Sequence, residues 1–232
     1  MKACEDARKK PFLTKGRAGA VRIALVAGTL LAAMTLPAKD GLTSPAGGTL
    51  TLAPGASLEL DGDSTLHHYS AKAHGMWASA GLDAGRLASA AQPPDLEALI
   101  RGHFIRTFQL IVPVAQLRSG EDGLDKNMRK ALKGNRFKEI RFQMDSYDVA
   151  PPSGGPIAVT LHGRLSLAGV ERKIDVGAIG TRVKDGLQVT GSKDLLMTDY
   201  QIKPPTMMFG AIKTKNLITV KFNATLQRAS QS

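Results

Sequence analysis

Histidine is the side chain best suited to hold a metal or move a proton near neutral pH, and this chain has five, His67, His68, His74, His103 and His162. Their spacing serves neither role. No His-Glu-x-x-His motif is present, and no histidine has a carboxylate at a compact ligand spacing. His67 and His68 are neighbours, so on a strand they point to opposite faces and cannot close on one ion. His68 and His74 share a face but stand roughly 20 Å apart on an extended strand. A metal or haem site would need residues that only the fold brings together. Nucleophilic chemistry fares no better: there is no Gly-x-Ser-x-Gly elbow, and Ser64, Ser166 and Ser192 stand outside any motif. The carboxylates Asp61 and Asp63, and Glu121 and Asp122, fall in turns where solvation accounts for them, and no nucleotide-binding glycine loop exists. The sequence therefore predicts no catalytic residue, no metal and no cofactor, and a binding protein rather than an enzyme.

The stretch from Leu195 to Leu226 points to what is bound. It is an apolar hairpin interrupted by Pro204 and Pro205, which bar regular pairing there. Met207, Met208, Phe209 and Ile212 would then rim an apolar cavity for a lipid-like molecule. A barrel end capped by Met and Phe with nothing bound accounts for the same residues, because Met is a common gap filler.

Such a cavity needs walls, and a two-residue period supplies them over most of the chain. Segments 64–77, 103–114, 140–149, 157–167, 170–183, 187–196 and 216–227 read as strands, separated by turns such as Asp122-Gly123 and Lys184-Asp185-Gly186. Ile157, Val159, Leu161, Gly163, Leu165 and Leu167 share one face of their strand, and Ile218, Val220, Phe222, Ala224 and Leu226 share one face of the last. Strands near ten residues exceed the usual five or six, which favours an all-β fold: an elongated antiparallel barrel of about eight strands. On the first strand the face Thr65, His67, Tyr69, Ala71, Ala73, Gly75, Trp77 alternates small with aromatic residues and leaves room inside a barrel. One short helix is expected near 124–132, with Leu124, Met128, Ala131 and Leu132 at helical spacing and Gly134 as its stop. Residues 78–98 read as an Ala/Gly/Pro connection, with a helical turn at 95–100.

Residues 1–38 have the form of an export signal: a basic start, an apolar run from Ile23 to Leu36, and Pro37-Ala38 as a cleavage edge. At about 14 residues the run is short of the roughly 20 that a membrane helix needs. Residues 39–56 read as a linker leading into the first strand, with Thr49 to Leu52 already extended, and 57–228 as the barrel domain, periplasmic or secreted. Residues 1–38 hold seven Lys/Arg and two Asp/Glu, so their removal lowers the formal net charge from +11 to +6. The remaining basic residues are scattered and carry no aromatic interleaving, which argues against nucleic acid. Transient contact with an anionic membrane surface is compatible with the charge, and a homodimer is compatible with the sequence. Cys4, the only cysteine, lies in the signal, so the mature chain can form no disulfide and no thiolate zinc site.

Three blocks, taken together, resemble the YceI-like family. The first runs from Gly62 to Tyr69; the second from Leu117 to Leu132, followed by Ile140-Arg141-Phe142; the third from Leu165 to Ile174, ending in the segment Met197 to Pro205. The resemblance spans roughly Ser57 to Leu226. It implies a lipocalin-like closed barrel that binds a long amphiphile: a polyprenyl phosphate, an isoprenoid quinone or a fatty acid derivative. The chain departs from the commoner Ser-Thr-Leu-His-Asp-Trp form by having His68 and Tyr69 in place of Asp-Trp, which bears on the pocket mouth. The expected ligand-binding residues are His67, Tyr69, Trp77, Phe142, Met144, Leu165, Tyr200, Met208 and Phe209, with His67, Tyr69 and Tyr200 as candidates for the head group. A tail of about fifteen carbons would contribute a gross term of roughly 12 kcal/mol before ordering costs, so a strong polar anchor is optional. The rival readings are a fatty acid or fatty amide binder of the same fold, and a stress-related interaction protein with an empty barrel.

Overall fold

Alternation of apolar and polar side chains builds nearly every wall of this molecule. The computed structural model describes residues 49–152, 154–207 and 211–229, all of them in the unit Ser44–Ser232. In chain order the elements are β1 (Thr49–Leu52), β2 (Ser57–Ser64), β3 (His68–Ala73), β4 (Trp77–Leu82), α1 (Ala84–Ala88), α2 (Leu96–Arg101), β5 (Ile105–Pro113) and β6 (Leu117–Arg118). Then follow α3 (Asp122–Ala131), β7 (Glu139–Val149), β8 (Ile157–Leu167), β9 (Val170–Val183), β10 (Gly186–Leu196), a 3-10 turn (Met197–Tyr200), β11 (Thr206–Met207) and β12 (Ile212–Arg228). The strands β1, β4, β5, β7, β8, β9, β10 and β12 pair in that order, and β12 pairs back onto β1, closing an antiparallel barrel of 8 strands. β2 prolongs the line of β1 along β12, and β3 pairs with β2 as β4 pairs with β1. β6 pairs with β3 as β5 pairs with β4, so three of the eight walls are strands in two pieces.

Turn chemistry fixes the registers. Between β8 and β9, Ala168 and Gly169 have φ of 51° and 85°, the pair of positive values that a two-residue type I′ hairpin turn requires. A Cβ on Gly169 would lie 2.2 Å from the Phe137 ring, so this turn also seats the approach to β7. At the β2–β3 corner the Ser64 hydroxyl accepts from the amides of Leu66 and His67 at 3.2 and 3.1 Å. That corner corrects the expectation of one strand over 64–77. The chain reverses at 65–67, and a second irregularity at 74–76 separates β3 from β4.

Helices occupy both ends. α2 is tied across the end where β7, β9 and β12 finish: Tyr147 Oη donates to the Ile100 carbonyl at 3.1 Å, Arg182 pairs with Glu97 at 2.9 Å and Asp95 at 3.0 Å, and Arg228 donates to the Pro94 carbonyl. Its Leu99 and Ile100 are buried. α3, the helix expected near 124–132, begins two residues earlier and lies toward the opposite end, where Lys133 donates to the Ala168 carbonyl at 3.4 Å. Asp125 holds its first turn, accepting from the amide and the hydroxyl of Ser119, both at 2.7 Å.

β1 falls at 49–52, where the sequence reading already expects extended chain at the end of the linker, and its Leu50 is buried between β4 and β12. One boundary differs from the sequence reading. The stretch 78–98, read as a connection, contains most of β4 together with α1. β4 is rich in Ala, Ser and Gly, which have little intrinsic preference for strands. Its inward Ala80 and Leu82 are buried all the same, because small side chains let neighbouring elements close over the wall. Among the described residues no helix is long and apolar enough to cross a membrane.

Candidate functional site

The inward faces of the eight walls enclose a cavity of about 330 Å3, within the size range of small-molecule sites. Its lining follows strand parity. Val159, Leu161, Leu165 and Leu167 come from β8, and Ile218, Val220, Phe222, Ala224 and Leu226 from β12, the faces that alternation assigns inward. α3 adds Leu124, Asn127, Met128 and Ala131. Among the described residues the lining contains no Asp, Glu or His, so no acid–base pair of theirs converges in it. Among the described residues no group of three or more His, Cys, Asp or Glu is placed to hold a metal ion. What this space can do is remove a long apolar surface from water.

The predicted site residues divide. Tyr69, Phe142, Met144, Leu165 and Tyr200 all line the cavity. His67 does not: it is exposed in the β2–β3 corner that Ser64 holds. Trp77 does not either, with 62% of its surface exposed. Both corrections have one cause. The face from Thr65 to Trp77 assumed unbroken alternation, whereas the chain turns at 65–67 and slips parity at 74–76, so Tyr69 and Ala71 face inward on β3 but Ala78 and Ala80 on β4. Ile212, half-buried, is outside the lining. The expectations placed on the Met207 side chain and on Met208 and Phe209 lie outside the described residues.

Three tyrosines bring hydroxyls into this apolar interior, and they are not equivalent. Tyr147 spends its hydroxyl on the Ile100 carbonyl. Tyr69 and Tyr200 have no hydrogen-bond partner for theirs among the described residues, although Tyr200 is only 2% exposed. Burial, reinforced by the negative charge of Asp63, pushes the Tyr69 phenol up to about 12. Burial is also the main cause that raises Tyr200, with the charge of Asp199 adding to it and Arg172 opposing it. Both phenols therefore stay protonated and able to donate.

Sequence reasoning missed several lining residues, Tyr147, Asn127 and Lys193 of β10 among them, and among the described residues Lys193 is the only charged side chain in the lining. For Lys193 the signal was available. Leu187, Val189, Lys193 and Leu195 share parity on one strand, and the apolar members of that row fix the inward face.

A family model described as YceI-like domain matches residues 64–226. Among solved structures, Burkholderia cenocepacia BcnA superposes with a TM-score of 0.54 at 12% identity, covering 75% of this chain and 96% of that one. A polyisoprenoid binding domain from Saccharophagus degradans, implicated in plant cell wall breakdown, superposes with a TM-score of 0.56 at 14% identity, covering 78% of this chain and 99% of that one. At these identities the likeness shows a shared fold. No curated protein matches the chain.

Proposed function

This chain belongs to the YceI-like domain family, and from that membership and its apolar cavity we propose that it holds one long amphiphile, an isoprenoid or related lipid, inside the barrel. The cavity is the observation that carries the reading: its walls are Leu, Ile, Val, Met, Phe and Ala almost throughout. Each methylene it takes from water is worth about 0.8 kcal/mol. Binding is non-covalent, and the role is storage or transport, with no bond made or broken. In this reading residues 1–38 direct export, and the barrel works in the cell envelope. The binding domain from Saccharophagus degradans, named for polyisoprenoids, lends support to an isoprenoid over a straight-chain fatty acid.

Native mass spectrometry of the chain exported by a bacterial host, followed by organic extraction, tests this. A stoichiometric polyprenyl or quinone species is expected. A ligand-free mass, unchanged after incubation with polyprenyl, quinone and fatty acid candidates, would move the assignment to an interaction protein with an empty barrel.

A further inference from the structure

Among the described residues the cavity lining carries one charge, and it is positive. Lys193 lines it together with Leu195 and Val220, no Asp or Glu shares the lining, and among the described residues Lys193 forms no ion pair and no hydrogen bond. Lys193 is half-buried, so its stem runs along the apolar wall while its ammonium can reach the cavity mouth. Leu187, Val189 and Leu195, on the same face of β10, are apolar wall residues.

Position adds to the case. The β9–β10 ladder ends at the pair Gly191 and Ala178, yet Ile174 and Val176 of β9, and Lys193 and Leu195 of β10, still line the cavity beyond that point. The two strands fork, and Lys193 is two residues into the fork. Leu196 both lines the cavity and is 41% exposed, so the lining reaches the outer surface on this side. The 3-10 turn Met197–Tyr200 follows directly and contributes the buried Tyr200. Across the barrel wall, one ladder rung joins Lys193, Val220, Leu60 and Ala71, and the adjacent inward rung joins Leu195, Ile218, Gly62 and Tyr69. The Tyr69 ring folds over Gly62 toward β12, where a Cβ on Gly62 would meet its Oη at 2.3 Å and Ile218 Cδ1 at 2.7 Å. One cation and two phenols whose hydroxyls have no partner among the described residues thus belong to the same end of the cavity.

We propose that Lys193, with the hydroxyls of Tyr69 and Tyr200, binds an acidic head group, a phosphate or carboxylate, at the β9–β10 fork while the tail fills the barrel. This rests on the amphiphile reading above and narrows it to anionic lipids. A neutral quinone would leave the ammonium unpaired; an oxyanion accepts from all three donors, and charge-assisted hydrogen bonds are the stronger kind.

Isothermal titration calorimetry of the mature chain with farnesyl monophosphate, lauric acid and farnesol, each below its micelle concentration, decides it. Farnesyl monophosphate is expected to bind roughly ten- to a hundredfold more tightly than farnesol, and lauric acid in place of the phosphate shows whether a carboxylate is also accepted. Lys193→Met is expected to erase the phosphate preference measured against farnesol, Lys193→Arg to keep most of it, and Tyr69→Phe and Tyr200→Phe each to lower it several-fold. Equal affinity of the wild type for farnesol and both acids, or a preference that survives Lys193→Met, overturns the head-group assignment and leaves the amphiphile reading standing. A wild type that binds none of the three overturns both. A Lys193→Met variant that loses farnesol as well, with its circular dichroism unchanged, also overturns the assignment, since Lys193 would then serve the cavity rather than the charge.

Discussion

Asp125 is the buried charged side chain of the described structure, with 3% of its surface exposed. The amide of Ser119 holds its carboxyl below the usual carboxylate range, against the cost of burial, helped by the Ser119 hydroxyl and the charges of Arg129 and Arg118. A depressed folded value means that the stabilisation is present above the unfolded value of about 3.9 and is lost as pH falls through the folded one. Asp125→Ala is expected to cost roughly 3 kcal/mol at neutral pH. Urea midpoints at neutral pH and near pH 3 should show that gap shrink in acid; an equal gap at both would refute the assignment. His162 has the opposite sign. It is half-buried, between Asp175 at 2.7 Å and Asp148 at 3.0 Å, and those hydrogen bonds, Asp175 first, raise its pKa. The contribution is full below an unfolded value of about 6.5 and disappears as pH rises through the higher folded value. Melting temperatures followed from about pH 5 to about pH 9 should lose a step in His162→Gln that the wild type shows; parallel curves would contradict it. Neither contact was legible from spacing, since Asp148 and Asp175 reach His162 only through the pairing of β7, β8 and β9. The wall residues Phe142, Met144 and Leu165 were legible because β8 and the part of β7 before its register shift after Met144 keep one parity, whereas His67 and Trp77 sit next to breaks that hydropathy does not mark.

At the scale of elements, strands that alternate large apolar with polar residues declared themselves. β8 runs from Ile157 to Leu167 and β9 from Val170 to Val183, as their periodicity required, and β12 was found across its central run. β4 was hidden because Ala78, Ser79, Ala80 and Gly81 carry too little hydropathy contrast to show a period. The fork between β9 and β10 was hidden for another reason: the residues of both strands alternate normally, and only the ladder reveals where pairing stops. The β8–β9 turn offers the sharpest test of an element. Gly169 is left-handed at φ 85° and faces the Phe137 ring. Alanine there meets a backbone cost of about 1–2 kcal/mol, and its methyl must also displace Phe137. Gly169→Ala is therefore expected to lower stability by at least about 1 kcal/mol in chemical denaturation. A variant as stable as the wild type would show that the turn does not hold the left-handed conformation.

For the whole molecule, the cavity exists because the ring is closed: β12 pairs with β10 on one side and with β1 and β2 on the other, leaving no free edge along its length. A wall held by ladders on both flanks cannot move inward to fill the space, so the interior stays open to whatever apolar volume enters it. Ala224 faces that interior from the middle of β12. A phenyl group there would project into open space, which avoids the strain that overpacking brings to a dense core. We expect Ala224→Phe to fold and to melt no lower than the wild type, because new apolar surface is buried without displacing a neighbour. Its tail site, however, is occupied by its own side chain. A ligand at about a hundred times its dissociation constant should stabilise the wild type by about 2.7 kcal/mol, and at the same concentration should stabilise Ala224→Phe far less. Thermal melts with and without farnesyl monophosphate separate this steric effect from the electrostatic one. Ala224→Phe should weaken farnesol and farnesyl monophosphate together, whereas Lys193→Met should lower the phosphate ester toward the level of farnesol. A ligand shift retained in full by Ala224→Phe would place the bound tail outside the barrel.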